Sequence, residues 1–167
     1  MPSEPAVAPR RTQRLILRPI TAADLDALVA LSVDPRVNRH RPGGPPTRRQ
    51  ATEIIRDFIG HWEQDGLGYW AVQRDGAIVG IAGTRPILLR GHRCWNLYYR
   101  FSPAVWGQGV AGEATREAVR VAREQEPERL VVARTRADNA PAIRLALAVG
   151  LTRRRDLDAD GFVSYAA

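Results

Sequence analysis

The stretch Ser102-Pro103-Ala104-Val105-Trp106-Gly107-Gln108-Gly109-Val110-Ala111-Gly112-Glu113-Ala114 holds the residues whose types and spacing most clearly imply chemistry. It leaves an aromatic segment, passes two glycines spaced for a tight loop and enters an alanine-rich amphipathic run. At such a junction several unpaired backbone N–H groups converge where a helix dipole is positive, which makes an anion cradle. Small residues are required there so that the backbone can approach phosphate oxygens. The stretch lacks the Lys and Ser/Thr of a P-loop and one glycine of a dinucleotide fingerprint, so neither motif fits. Elsewhere, the single cysteine, Cys94, excludes an internal disulfide and reads as a small buried hydrophobe. His61 and His92 show no metal-ligand spacing with each other or with Cys94, so no metal is expected.

The elements that position this loop follow from periodicity and turn chemistry. Met1 to Arg11, rich in Pro and small residues, is expected to be a flexible N-terminal tail ahead of a single domain over residues 12–167. Leu15–Leu17 reads as a strand, and Thr21 as the N-cap of a helix over Ala22–Leu31. Pro42-Gly43-Gly44-Pro45-Pro46 closes a loop, after which Thr47 caps a helix carrying Ile54, Ile55, Phe58 and Ile59. Tyr69–Gln73 and Ile78–Thr84 form a hairpin on the Asp75-Gly76 turn, and Cys94–Phe101 is a further strand. A helix over Glu113–Arg123, a strand over Leu130–Thr135, a helix from Pro141 to Val149 stopped by Gly150, and a strand over Phe162–Tyr165 complete a mixed α/β order. Strand side chains alternate, so Trp95, Leu97, Tyr99 and Phe101 share one face and Asn96, Tyr98 and Arg100 the other. The first face is taken as the active-site side.

Composition narrows the function classes. The 167 residues, 44% of them hydrophobic, suffice for one well-cored domain. No segment approaches a membrane span and no export signal stands at the start, so a soluble cytoplasmic protein is expected. All 25 basic residues behind the net charge of +7 are Arg. A uniform bias of that kind reflects a GC-rich coding sequence more than a nucleic-acid surface. The arginines are scattered and lack aromatic interleaving, which argues against a specific nucleic-acid partner.

The loop resembles the acetyl-CoA loop of the GNAT N-acetyltransferase superfamily, whose Arg/Gln-x-x-Gly-x-Gly/Ala pattern is filled here by Trp106, Gly109 and Ala111. Trp at the first position, with Glu113-Ala114 following, resembles the bacterial ribosomal-protein N-terminal acetyltransferase (RimJ/RimL) branch. Thr12-Gln13-Arg14-Leu15-Ile16-Leu17-Arg18-Pro19, Gly68-Tyr69-Trp70-Ala71-Val72 and Asn139-Ala140-Pro141-Ala142-Ile143-Arg144 resemble further motifs of that branch, in the expected order. The resemblance implies a GNAT fold: one central, mostly antiparallel sheet splayed between strands 4 and 5, flanked by helices on both faces, with acetyl-CoA lying in the opening. It implies that the N–H groups of Gly107, Gln108, Gly109, Val110, Ala111 and Gly112 hold the CoA pyrophosphate. The Tyr99-to-Phe101 edge would pair with the pantetheine amides, Asn139 would hold the pantetheine arm, and Arg144 would face the phosphates.

The catalytic positions depart from the family. Trp95–Phe101 contains no carboxylate, where many relatives carry a Glu base, and Ala142 stands where this branch commonly has a Ser. Val149 and its neighbours offer no Tyr. Tyr99 is therefore the candidate acid, His40 in the loop between the first two helices the candidate base, and Trp95 a substrate-binding candidate. The leading expectation is an acetyl-CoA-dependent N-acetyltransferase acting on a protein N-terminus or a small amine. The alternatives are a CoA-binding module without turnover and an Arg-rich nucleic-acid accessory protein. Dimers are frequent in the family, and the sequence itself names no homodimer interface.

Overall fold

A computed structural model describes residues 8–167. Eight strands form one sheet in the order β1-β2-β3-β4-β5-β6-β8-β7. These are β1 (Arg10–Arg11), β2 (Ile16–Pro19), β3 (Tyr69–Arg74), β4 (Ala77–Leu89), β5 (His92–Phe101), β6 (Leu130–Thr135), β7 (Thr152–Arg153) and β8 (Val163–Ala166). Every adjacent pair is antiparallel except β5 and β6, which run parallel. A parallel pair needs a long crossover. Helix α3 (Val110–Gln125) provides it, while α1 (Leu25–Val33), α2 (Arg48–Asp65) and α4 (Ala140–Ala148) complete the helices.

Local chemistry sets most boundaries. The Thr47 hydroxyl accepts from the Gln50 N–H, the Gln50 side chain returns to the Thr47 N–H, and Gly66 closes α2 at φ +64°. Thr21 begins a short 3-10 turn over Ala22–Asp24, ahead of α1, in place of the single expected helix. There Asp24 is buried. Arg18 grips its carboxylate through two 2.7 Å hydrogen bonds, and the Thr21 N–H donates to it at 2.8 Å. Burial pushes the Asp24 carboxyl upward, but Arg18 and Thr21 outweigh it and hold the group below its ordinary value.

Two sheet features depart from expectation for identifiable reasons. β4 runs on through Pro86 to Leu89, beyond the expected end at Thr84. The β3 pairing stops at Tyr69↔Gly83, so Pro86 lies where β4 has a partner only on the β5 side, and its missing N–H breaks no ladder. Arg10–Arg11, expected in the tail, pair with Leu17 and Ile16 as an edge strand. The remainder of that tail, residues 1–7, lies outside the described residues. The extra edge strand makes the splayed pair the fifth and sixth strands.

Both faces of the sheet are covered. Leu17, Trp70, Val72, Trp95, Leu97 and Phe101 pack beneath the Ala114, Ala118 and Ala122 stripe of α3. On the opposite face Tyr69, Ala71 and Ile81 meet Leu28, Ile55 and Phe58 of α1 and α2. The alanine stripe, recurring every four residues, lets α3 approach the sheet closely and fixes where its N-terminus emerges. No helix among the described residues is long and apolar enough to cross a membrane.

Candidate active site

Where β5 ends, the Ser102 hydroxyl caps the turn Pro103–Val105, and the Trp106 indole N–H donates back to the Phe101 carbonyl at 3.0 Å. Gly107 and Gly109 then take φ of +74° and +75°, the left-handed region open to glycine at little cost. Gly109 is the N-cap of α3. None of the N–H groups from Gly107 to Gly112 has an acceptor among the described residues, because intrahelical bonding begins with the Glu113 N–H donating to the Gly109 carbonyl. The loop glycines are exposed, and nothing lies within 4 Å of where a Gly107 Cβ would stand. Open donors, glycine backbone and a helix N-terminus fit a diphosphate.

The cradle is braced from the start of the chain's sheet. Glu113, in the first turn of α3, accepts from the Thr12 hydroxyl and from both the backbone N–H and Nε of Arg14, ninety-nine residues away. Arg14 also donates to the Gln108 carbonyl at 2.8 Å. Burial raises the Glu113 pKa, but Thr12 and Arg14 together hold it below its ordinary value, so it stays ionised. The Gln108 side chain is used locally: it accepts from Arg74 at 2.6 Å and donates to the Ala104 carbonyl at 3.0 Å. What Gln108 leaves for a ligand is its main-chain N–H. Val110 likewise buries its side chain in the core, and Ala111 is half-buried against it.

Beside the cradle the sheet opens. β5 and β6 pair only from Cys94↔Leu130 to Leu97↔Ala133, so from Tyr98 to Phe101 the β5 edge facing β6 has no strand. Tyr99 reaches across this gap, its hydroxyl donating to the Ala142 carbonyl at 3.0 Å, and burial pushes its pKa up to about 12. Asn139 caps α4 by accepting from the Ala142 N–H at 3.2 Å, which leaves its Nδ2 without a partner among the described residues. Arg144, further along α4, is exposed and has no acidic partner there. The loop between α1 and α2 brings half-buried His40 to this rim, its Nδ1 3.7 Å from Asp138 Oδ2. The structure thus gathers Tyr99, Asn139 and His40 around the opening, with no hydrogen bond between His40 and Tyr99.

On the expected active-site face of β5 the structure keeps Tyr99 at the opening, but Trp95 requires correction. Trp95 is 3% exposed and sits in the closed part of the sheet, opposite Val131 and under the Arg129 guanidinium at 4.6 Å. It is a core residue and cannot touch a substrate, because α3 covers the odd-numbered face where β5 and β6 are still paired. Phe101 is also buried, against Gly80, so only its backbone is available. Apart from Tyr99, the half-buried polar groups of β5 lie on the opposite, even-numbered face. Asn96 donates to the Tyr69 hydroxyl at 2.7 Å, Tyr98 stacks on Tyr69 at 4.9 Å, and Arg85 lies over the Tyr69 ring while contacting His61. The alternation along β5 separated these two sets in the sequence, but not which face a helix would seal. Cys94 is fully buried, and burial raises its thiol pKa. Among the described residues no group of three His, Cys, Asp or Glu side chains is placed to hold a metal ion.

This arrangement of splayed sheet and glycine cradle matches a known family. The model of the acetyltransferase (GNAT) domain matches residues 14–152. An acetyltransferase from Agrobacterium tumefaciens superposes with a TM-score of 0.83 at 22% identity, over 97% of this chain and 95% of that one. RimL, a ribosomal-protein α-N-acetyltransferase, superposes with a TM-score of 0.70 at 15% identity, over 93% and 91%. The microcin self-immunity acetyltransferase MccE, solved with acetyl-CoA and AMP, gives 0.71 at 13% identity, over 93% of each chain. The chain belongs to the GNAT acetyltransferase family. Its sheet, opened where β5 and β6 diverge, is the fold of that family.

Proposed function

We propose that the protein transfers the acetyl group of acetyl-CoA to a primary amine, either a protein N-terminus or a small amine. The observation that carries this reading is the run of six N–H groups from Gly107 to Gly112, without a partner among the described residues, at the mouth of the splayed sheet. They hold the CoA pyrophosphate, while the open β5 edge from Tyr98 to Phe101 offers main-chain groups to the pantetheine amides, as an added strand would use them. The free Nδ2 of Asn139 meets the same arm, and Arg144 adds positive charge on the α4 side.

The amine attacks as the neutral base. A carbon–nitrogen bond forms, the carbon–sulfur bond breaks, the amine loses a proton and the thiolate gains one. His40, facing Asp138 on the rim, takes the amine proton directly or through water. Tyr99 supplies the thiolate's proton. Its hydroxyl donates to the main-chain carbonyl of Ala142, the residue standing where the related branch carries a serine. The acceptor enters at the rim that His40 and Tyr99 share, with half-buried Asn96 and Tyr98 lying on the neighbouring even-numbered face of β5.

The test is steady-state release of free CoA from acetyl-CoA, read with a thiol reagent, against peptides with free α-amino groups and a panel of small amines. Turnover with at least one acceptor is expected. Tight acetyl-CoA binding without turnover across the panel overturns the enzymatic reading and leaves a binding module.

A further inference from the structure

The even-numbered face of β5 carries positive charge that the fold does not neutralise. Two apolar clusters cover that side of the sheet, one joining Tyr69, Ala71 and Ile81 to α1 and α2, the other gathered around Leu89, Cys94, Val132 and Leu157. Between them a strip of partly exposed side chains remains. Arg85, Asn96, Tyr98, Arg100 and Arg134 are all half-buried along it, and three of the five are arginines. The last β5–β6 pair is Leu97↔Ala133, so the strip meets the opening of the sheet at Tyr98.

The strand register explains how Arg85 comes to stand there. Gly83 lies between Tyr69 and Tyr98 in one row across the sheet, and its missing side chain lets the two rings stack at 4.9 Å. The β3 pairing ends on that row. In the next row Arg85 pairs with Asn96, and its guanidinium lies over the Tyr69 ring, 5.6 Å from the centroid, where it donates to Nε2 of His61. A guanidinium only donates, so His61 accepts that bond and brings no negative charge. Among the described residues no carboxylate lies within 4 Å of Arg85, and the contact with His61 uses one Nη2 hydrogen of its fork. Arg100 is likewise met by neutral groups, donating to the Asn38 side chain at 3.1 Å and to the Ser32 carbonyl at 3.4 Å. Arg134 has Asp160 at 3.5 Å, but that carboxylate is 85% exposed and screened by solvent. A half-buried cation without a counter-ion is unfavourable, and an anionic ligand offsets the penalty.

We infer that the acceptor is an α-amino acid or a close analogue, an amine with a carboxylate a few bonds away, and that Arg85 binds that carboxylate. This rests on the acetyl-transfer reading of the site and names the acceptor class within it. At about 3.3 Å per residue along a strand and about 4.8 Å between strands, the Arg85 Cα stands about 8 Å from that of Tyr98 at the opening. The guanidinium, lying over the ring that stacks on Tyr98, closes part of that gap. A small molecule spans the remainder, with its amine at the opening and its carboxylate on the paired N–H donors of Arg85. A peptide α-amine has a neutral amide in place of that carboxylate, so a protein N-terminus leaves the cation unmet.

The test measures CoA release on the full chain with acetyl-CoA and a panel of α-amino acids, each paired with its carboxamide and its dipeptide amide and compared at equal concentration of neutral amine. At least one amino acid is expected to exceed its carboxamide roughly ten- to a hundredfold in kcat/KM, the scale of one charge-assisted contact. Arg85→Met, which keeps an unbranched stem over Tyr69, is expected to bring that amino acid down to the level of its carboxamide, with acetyl-CoA affinity by calorimetry unchanged. Arg85→Lys retains the charge but not the fork and is expected to keep part of the preference, and it carries the test if Arg85→Met fails to fold. Carboxamides or dipeptide amides used as well as the amino acids overturn the carboxylate assignment and leave acetyl transfer standing. So does acetylation of simple amines with no amino acid accepted. A variant that slows every acceptor alike overturns it too, because Arg85 would then serve the fold. If no amine of any kind turns over, the acetyl-transfer reading falls and the acceptor class falls with it.

Discussion

Replacing Gly109 by Val tests the cradle at the point where backbone geometry and ligand approach coincide. Gly109 caps α3 at φ +75° and ψ 6°, and an added Cβ would lie 3.3 Å from Nη2 of Arg14. An L-residue in the left-handed region costs about 1–2 kcal/mol. At about 2–4 °C per kcal/mol for a chain of this size, the free protein should melt about 2–8 °C lower. Acetyl-CoA at ~100 times its dissociation constant adds about 2.7 kcal/mol to the wild type, or about 5–11 °C. In the variant the branched side chain stands before the N–H groups, and the ligand-induced shift should fall below about 2 °C. Strain and ligand approach are separated by Gly91→Val. Gly91 has φ +81° with nothing within 4 Å of its Cβ position, in the turn at the far end of β5. It should lose comparable stability yet keep the full ligand shift in a thermal-shift assay. A Gly109→Val protein that retains the wild-type shift would refute the cradle.

Tyr99→Phe should lower kcat roughly ten- to a hundredfold with little change in acetyl-CoA affinity, read in single-turnover and binding assays. Because the folded Tyr99 pKa is raised to about 12, above the unfolded value near ~10, its contribution to stability is complete below pH ~10. It is lost as pH rises toward 12, so Tyr99→Phe should flatten that alkaline decline in denaturant midpoints. Asp24→Asn leaves the Arg18 guanidinium half-buried without its ionic partner and should cost about 1.5–3 kcal/mol, toward the lower end because Arg18 is partly solvated. The folded Asp24 pKa is lowered, so the pair's contribution is present above the unfolded carboxylate value and is lost as pH falls through the folded one. Acid unfolding of Asp24→Asn should show a correspondingly weaker pH dependence. Gly80→Ala places a Cβ 2.4 Å from the Phe101 ring and 2.6 Å from the Arg100 carbonyl, an overpacking that should cost about 1–3 kcal/mol in urea unfolding.

The elements that read most clearly from the sequence are those set by local chemistry. The Thr47 cap, Asp75-Gly76, and the glycines of the cradle each act within a few residues, and each stands where expected; the return contact from Gln50 to Thr47 is added by the structure. The strand expected to end at Thr84 runs on to Leu89 because it tolerates Pro86 once its partner on one side has ended, a fact about β3 and not about the neighbours of Pro86 in sequence. The bracing of the cradle by Arg14 was equally hidden, since Thr12-Gln13-Arg14 reads as the entry to a strand and Glu113 as an ordinary first-turn acid. The misplacing of Trp95 has the same origin. Alternation pairs Trp95 with Tyr99, but only the docking of α3 decides that Trp95 is sealed, while the divergence of β6 decides that Tyr99 reaches open space.

The donors of the cradle belong to the main chain, and that has a consequence for inheritance. Amides do not titrate, and among single substitutions only one to proline deletes an N–H, so the capacity to hold an anion persists while side chains around it drift. Short of a proline, the loop can lose its function only by being blocked, as at Gly109, or by being tilted. Tilting is controlled from elsewhere, through the Arg14–Glu113 bond that links the first long strand to the crossover helix. Variants that abolish ligand capture should therefore fall into two classes, one in the glycine loop itself and one nearly a hundred residues upstream. The second class would look innocent in any alignment centred on the loop.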